Sequence, residues 1–445
     1  MLIVVLLVLS IVLIVISTTR YNLHAFLALI MAALFFGICS RMPLHEIVSS
    51  IEEGFGGTIG RIGVVIVAGA IIGAFLDKSG GALALAERIL KVIGKKNVTP
   101  AMVLIGYIVS IPVFADSGFV ILTPLNKTLT KRAGLSLATT AIALALGLMV
   151  AHTLVPPTPG PIAAAGILEA DLGWVLLIGI PVSLLTLFFC WFWAVKVAGR
   201  IQIDPNPELT EEEFTARQRT APSALHAVLP ILVPIGLIVL KSIAEYPTHP
   251  LGQSSLYRGV SFVGTPLIAL LIGIGTAVTL PRPFDKSMLS SSGWVGEAMK
   301  AAAMIILITG AGGAFGKVLQ NSGIADTIGK AMSSMTIGLW LPFTAAAAIR
   351  AAQGSSTVAI ITTASIVAPM LGSMGLDSPL GRALAVLAIG AGSMVASHAN
   401  DSFFWVVTQM SGMDVKTGYK LMTTGTICMG VLACTILWII GLIVL

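Results

Sequence analysis

The stretch M-V-A-H-T-L-V-P-P-T-P-G-P, Met149 to Pro161, closes an apolar run with a histidine and then places four prolines within six residues. Proline removes a backbone donor and clashes with the preceding turn, so Pro156, Pro157, Pro159 and Pro161 interrupt any helix that arrives here. Yet the flanking sequence, roughly 136 to 170, is apolar enough for a membrane crossing. Inside hydrocarbon an unpaired backbone amide costs several kcal/mol, so irregular backbone survives only where protein or a water-filled cavity surrounds it. The stretch therefore reads as a crossing broken at membrane depth, and the break marks a cavity.

The rest of the chain fits that setting. Of its 445 residues, 56% are hydrophobic and 10% charged, with a mean hydropathy of +0.98, which excludes an ordinary soluble globular protein. Ten crossings are expected, near 2 to 18, 23 to 40, 60 to 77, 136 to 170, 173 to 199, 224 to 245, 259 to 280, 299 to 320, 381 to 411 and 416 to 445. The first has no Lys or Arg ahead of it and reads as a retained span rather than a signal peptide. Two apolar stretches, 100 to 126 and 338 to 370, remain, each interrupted near its middle by polar or small residues, and each reads as a re-entrant hairpin.

Charge sets the orientation. With both hairpins re-entrant, the loops at 88 to 96, 127 to 132 and 196 to 219 share a face carrying Arg88, Lys91, Lys95, Lys96, Lys127, Lys131, Arg132, Lys196, Arg200, Arg217 and Arg219. The turn at 169 to 172 has Glu169 and Asp171 and no cation. The positive-inside rule makes the basic face cytoplasmic and puts both termini outside. The net charge of +6 is thus explained by topology, and no nucleic-acid partner is expected. Cys39, Cys190, Cys428 and Cys434 lie in apolar segments without C-x-x-C spacing and read as packing residues.

An internal repeat follows the same plan. Gly69-x3-Gly73-x5-Ser79-Gly80 recurs as Gly312-x3-Gly316-x5-Ser322-Gly323, while Pro124, Gly147 and Met149-Val150-Ala151 match Pro369, Gly392 and Met394-Val395-Ala396. The expected fold is an all-α polytopic membrane protein of two repeats, 1–200 and 223–445, joined by a cytoplasmic linker at 201–222. Each repeat has five crossings and one hairpin (about 100–130 and 338–370), with a broken helix at about 136–170 and 381–411. Five is odd, so the second repeat is inverted in the membrane.

Four interruptions then face one cavity: Ile111–Gly118, His152–Pro161, Arg350–Thr357 and Ser397–Ser402. Half-helix N-termini there favour an anion such as a carboxylate. Arg350 is a fixed cation able to grip a carboxylate through two nitrogens. Ser117, Thr158, Ser355, Ser356, Thr357 and Asn400 offer polar partners for a hydroxylated chain, and Gly118, Gly160 and Gly354 allow close backbone approach. Asp116, Asp401, His152 and His398 are candidates for carrying a coupling ion, because a carboxylate at that depth must be paired, protonated or bound to a cation. The plainer alternatives are a structural network of Asp116 and Asp401 with Arg350, and histidines that bond one helix to another. The Gly-x3-Gly runs read as close helix packing. No catalytic or metal-binding set is expected: G-x-S-x-G and H-E-x-x-H are absent, and Phe315 stands where the dinucleotide loop of Gly310 to Gly316 needs its last glycine.

At these residues the chain resembles the gluconate permease (GntP) family of the ion transporter superfamily, which also contains D-serine permeases. The resemblance runs over nearly the whole chain. It rests on R-x-x-x-G-S-x-T-V-A (Arg350 to Ala359), S-H-x-N-D-S-x-F-W (Ser397 to Trp405), H-x-x-x-P-P-x-P-G-P (His152 to Pro161), V-A-P-M (Val367 to Met370) and F-x-x-x-G-F-V (Phe114 to Val120). It implies a proton-coupled importer of sugar acids in the bacterial cytoplasmic membrane, with no cofactor and, by superfamily analogy, a homodimer. Ala115-Asp116-Ser117 and Thr158 depart from the gluconate pattern, which leaves both gluconate and a shorter acid such as glycerate open. The alternatives are sodium-coupled transport of another small carboxylate or amino acid, such as a dicarboxylate or D-serine, and a passive anion channel.

Overall fold

The computed structural model describes residues 2–21, 23–94, 97–205, 221–244, 255–322, 338–398 and 401–445. Among them the secondary structure is helical, with no strand. In chain order the helices are α1 (Leu2–Thr19), α2 (Ala25–Cys39), α3 (Leu44–Lys78), α4 (Gly81–Ile93), α5 (Val98–Ser110), α6 (Ala115–Ala133), α7 (Leu137–Leu154), α8 (Pro159–Ile167) and α9 (Leu172–Lys196). Then come α10 (Ala224–Ala244), α11 (Ser255–Val263), α12 (Pro266–Ala277), α13 (Trp294–Asn321), α14 (Trp340–Gln353), α15 (Ser356–Val367), α16 (Pro379–Ser393) and α17 (Ser402–Met410). The last, α18 (Val415–Val444), contains a π turn over Tyr419–Thr423. Five described helical stretches are long and apolar enough to cross a membrane, or seven when each bent pair counts as one span.

The crossing opened by the proline run is α7 followed by α8, interrupted at Val155–Thr158, and its membrane-length window is wholly buried. That burial meets the condition set by the sequence, because broken backbone at depth needs protein around it. The second broken crossing is α16 and α17, the first ending at Ser393 and the second beginning at Ser402. The first hairpin is α5 and α6 with a break at Ile111–Phe114, and the second is α14 and α15 with a break at Gly354–Ser355. Local chemistry starts these segments. Ser136, Asp171 and Ser378 cap α7, α9 and α16 by accepting from Ala138 N, Trp174 N and Gly381 N, while Pro159 and Pro379 fall where a missing N–H costs nothing.

Several expected boundaries are corrected. The crossing expected at 60 to 77 is the second half of a helix that begins at Leu44 and bends by 42° near residues 60 to 63. Glu46, Glu52 and Glu53 depress the apolar signal of its first half while standing exposed. Likewise α13 begins at Trp294, not 299. Residues 88 to 93, expected in a loop, complete α4, an amphipathic helix that buries Ala82, Leu85, Ala86 and Leu90 at helical spacing. The crossing at 259 to 280 is two helices meeting at 67° before Pro266. Lys95, Lys96, Arg217, Arg219, Gly323 and linker residues 206–220 lie outside the described residues.

The two broken crossings run antiparallel. Arg382, in the first turn of α16, donates from Nη1 to the carbonyl of Leu168 just beyond α8, at 3.1 Å. At the other end Leu137 N, in the first turn of α7, donates to Ile203 O at 2.9 Å, and Ile203 neighbours Gly412 just beyond α17. The end of α16 meets the end of α7, where a Cβ on Gly390 would overlap the Thr153 carbonyl oxygen. The breaks of the two crossings therefore lie side by side at the centre.

Glycines bring the supporting helices against those breaks. A Cβ on Gly73 would overlap the carbonyl oxygen of Pro112 in the first hairpin break, and one on Gly69 would lie 3.0 Å from the carbonyl oxygen of Pro157. In the second half Gly312 and Gly316 press on Ile361 and Ser365 of α15. The repeated pair Gly147 and Gly392 abuts the carbonyls of Val103 and Phe343, each on the first helix of its own hairpin. The Gly-x3-Gly runs are thus close packing, as read, and what they pack against is the interrupted backbone.

Candidate functional site

Where the breaks converge lies a cavity of about 260 Å³ lined by Phe114, Ala115, Asp116, Met149, His152, Arg350, Gly354, Ser355, Ser356, Thr357, Asp401 and Phe403. It is smaller than the about 300–1,000 Å³ of drug-sized sites and suits a small solute. The N-termini of α6 and α15 open directly onto it, and Asp401 caps α17 at its edge by accepting from Phe403 N at 3.0 Å. Positive helix ends thus surround the space.

Arg350 dominates the electrostatics. It sits in the last turn of α14, only 1% exposed, and its Nη2 donates to Oδ2 of Asp401, itself 5% exposed. The same Oδ2 accepts from Ser397 Oγ. Nε and Nη1 of Arg350 are buried without a hydrogen-bond partner among the described residues, as is Nδ1 of His152. Buried charged donors left unmet are costly, and an incoming acceptor with two oxygens removes that cost. His152 is 7% exposed and packs beside Phe114, ring centres 6.1 Å apart.

The second break is held from outside the cavity. Ser397 N donates to Thr426 Oγ1 at 3.1 Å, and its carbonyl accepts from Thr423 Oγ1 at 2.6 Å. Thr423 closes the π turn of α18, a kind of irregularity frequent at functional sites. Ala396 adopts φ +55°, a left-handed conformation that a residue with a Cβ seldom takes.

Of the expected site residues, Asp116, His152, Arg350, Gly354, Ser355, Ser356, Thr357 and Asp401 line the cavity. Thr158, Ser117, Gly118, Gly160 and His398 are not part of its lining. Thr158 Oγ1 donates to Val155 O at 2.7 Å, within its own break. A Cβ on Gly118 would lie 2.7 Å from Leu148 Cδ2, and one on Gly160 2.8 Å from Ile360 Cδ1, so both serve helix contacts. His398 stacks on Tyr419 with ring centres 6.4 Å apart, and its Nε2 is 2.9 Å from Ala351 O, bonding the break to the hairpin. Asn400 lies outside the described residues. The sequence reading missed Met149 and Phe403, both inside motifs it had singled out, and Thr423 and Thr426, for which no local signal exists. Among the described residues no group of three His, Cys, Asp or Glu could hold a metal ion.

A larger cavity of about 420 Å³ lies away from the breaks, lined in part by Glu53, Glu169, Lys317, Asp377 and Arg382. It contains none of the expected site residues.

Comparison with known proteins follows the same lines. A family profile described as GntP family permease matches residues 1–443. The chain is 36% identical to a gluconate permease of Pseudomonas aeruginosa over 96% of this chain and 92% of that protein. It is 35% identical to the D-serine transporter DsdX of Escherichia coli over 96% and 95% of the two chains. Among solved structures it is similar to the Alcanivorax borkumensis YdaH transporter, described as having an unusual topology, with a TM-score of 0.63, 17% identity, and 90% and 89% of the two chains covered.

Proposed function

Because this chain belongs to the GntP permease family, a family of membrane transporters and not of enzymes, we propose that it imports a small hydroxylated monocarboxylate by proton symport. The substrate is gluconate or a shorter relative such as glycerate, and the setting is the bacterial cytoplasmic membrane with both chain ends outside. The observation that carries the reading is Arg350: a buried guanidinium with two unpartnered nitrogens beside a cavity sized for a small solute. A carboxylate accepts from either open nitrogen, and from two at once when it takes Nη2 from Asp401, while Ser355, Ser356, Thr357 and Asp116 line the space for hydroxyls. The antiparallel crossings support two inverted repeats whose hairpin units move about the site in alternating access.

One observation favours a second reading. Two carboxylates, Asp116 and Asp401, line the same cavity, and an amino acid needs an anionic partner for its ammonium as well as a cationic one. The relative named a D-serine transporter is nearly as similar as the gluconate permease.

The test is uptake of radiolabelled gluconate, glycerate and D-serine into proteoliposomes, with proton and sodium gradients imposed separately. Accumulation of an acid driven by the proton gradient is expected. Accumulation of D-serine alone, or dependence on sodium alone, sinks the leading reading, and equilibration without accumulation under either gradient identifies a passive channel.

A further inference from the structure

We propose that Asp401 carries the coupled proton by counter-ion exchange: it neutralises Arg350 in the empty site and yields that place to the substrate's carboxylate when it takes a proton. The inference rests on the reading of the cavity as a monocarboxylate site and adds to it a carrier and a stoichiometry of one proton per substrate.

The argument begins with charge. Among the described residues Arg350 is the one Lys or Arg lining the cavity, and in this structure its charge is already matched by Asp401. A substrate carboxylate that grips the guanidinium through two parallel donors needs Nη2 together with Nε or Nη1, and Nη2 is the nitrogen Asp401 holds, so its approach puts a second anion on one cation, out of water. Like charges at that range strongly disfavour the doubly ionised state. A proton on Asp401 cancels the excess: one H⁺ from the bulk, one new O–H bond on the carboxyl, one monoanion bound, and no net change in the charge of the cavity. A dianion leaves one charge unmatched, which excludes it.

The hydrogen bonds around Asp401 allow that step without loss of structure. Oδ1 accepts from Phe403 N and caps α17, whereas Oδ2 accepts from Arg350 Nη2 and Ser397 Oγ. A proton placed on Oδ2 leaves the cap on Oδ1 intact. The Ser397 hydroxyl both donates and accepts, so it can rotate to receive the new O–H. The exchange is therefore confined to the oxygen that faces Arg350.

The other titratable groups around Asp401 are placed differently. Asp116 on α6 and His152 on α7 also line the cavity, and the buried ion pair seen with Arg350 is that of Asp401. His398, in the same break, is occupied with Ala351 O, and Tyr419 on α18 stacks on His398. Asp401 is thus the group whose charge state is tied directly to the cation that holds the substrate.

The experiment compares the full-length wild type with Asp401→Asn, a change that keeps an N-cap acceptor and a partner for Ser397. Binding of radiolabelled gluconate and glycerate is measured across pH, and proteoliposomes report proton-driven accumulation. Wild-type affinity is expected to fall as pH rises, approaching about ten-fold per unit, the slope of a single linked proton. Asp401→Asn is expected to bind with no such slope and to lose proton-driven accumulation. Proton-driven accumulation by Asp401→Asn overturns the inference, as does a retained pH slope. A variant that is monodisperse and melts like wild type but binds neither acid also overturns it. Wild-type protein that binds neither acid at any pH overturns the carboxylate reading itself and this inference with it.

Discussion

Arg350 donates from Nη2 to Asp401 and leaves Nε and Nη1 without a hydrogen-bond partner among the described residues, and that arrangement makes its replacement informative. Arg350→Lys keeps the charge but replaces a planar fork with a point donor, so gluconate uptake is expected to fall by at least about ten-fold while the protein still folds; initial uptake rates normalised to inserted protein test this. Arg350→Ala instead leaves Asp401 as an uncompensated buried charge, which costs about 3–5 kcal/mol. Adding Asp401→Asn to Arg350→Ala is expected to recover much of that loss, read as melting temperature in detergent. The residue types at this site are legible in the sequence, because Arg350 and Asp401 each stand in an apolar stretch where an ionisable group needs a reason. Their pairing is not, since 51 residues separate them. Thr158 and His398 show the opposite failure. Both adjoin a break, yet the freed backbone of the breaks supplied carbonyls near enough to engage them, at Val155 and Ala351. Proximity to a break in sequence does not say which way a side chain turns.

Among the elements, the hairpins and broken crossings stand where the sequence puts them, because proline, glycine and polar residues inside apolar runs are strong punctuation. Elements without that contrast were harder to see. The first half of α3 carries three exposed glutamates in the apolar period, and the amphipathic pattern of α4 lies among the basic residues that define a face. Glycine contacts give a direct test of how closely the supporting helices approach the breaks. Gly73→Ala and Gly392→Ala force a methyl onto backbone carbonyls of Pro112 and Phe343, and each is expected to destabilise by about 1–3 kcal/mol or more. Gly275→Ala in α12 meets nothing within 4 Å and is expected to be neutral or to stabilise by up to about 1 kcal/mol. Thermal melts of the three variants side by side test these contacts.

For the molecule as a whole, the antiparallel crossings predict that equivalent points of the two halves emerge on opposite sides of the membrane. In a variant lacking the four native cysteines, Lys131→Cys before α7 and Asp377→Cys before α16 are expected to react with a membrane-impermeant thiol reagent from opposite faces; labelling from the same face rejects the inversion. The repeat is legible in the sequence through matches at two nearly equal offsets, 243 for Gly69, Gly73 and Ser79 and 245 for Pro124, Gly147 and Met149, but its consequence, two breaks lying side by side, depends on contacts such as Arg382 with Leu168 that join residues 214 apart. That arrangement also bears on physiology. In the alternating access proposed above, the route to Arg350 from each side of the bilayer would be assembled from equivalent parts of the two repeats, with no built-in preference for inward over outward traffic. Direction is then left to the gradients, and a cell that exhausts its external supply while holding the acid inside will lose it through the same protein, unless synthesis of the carrier stops or metabolism keeps the internal pool low.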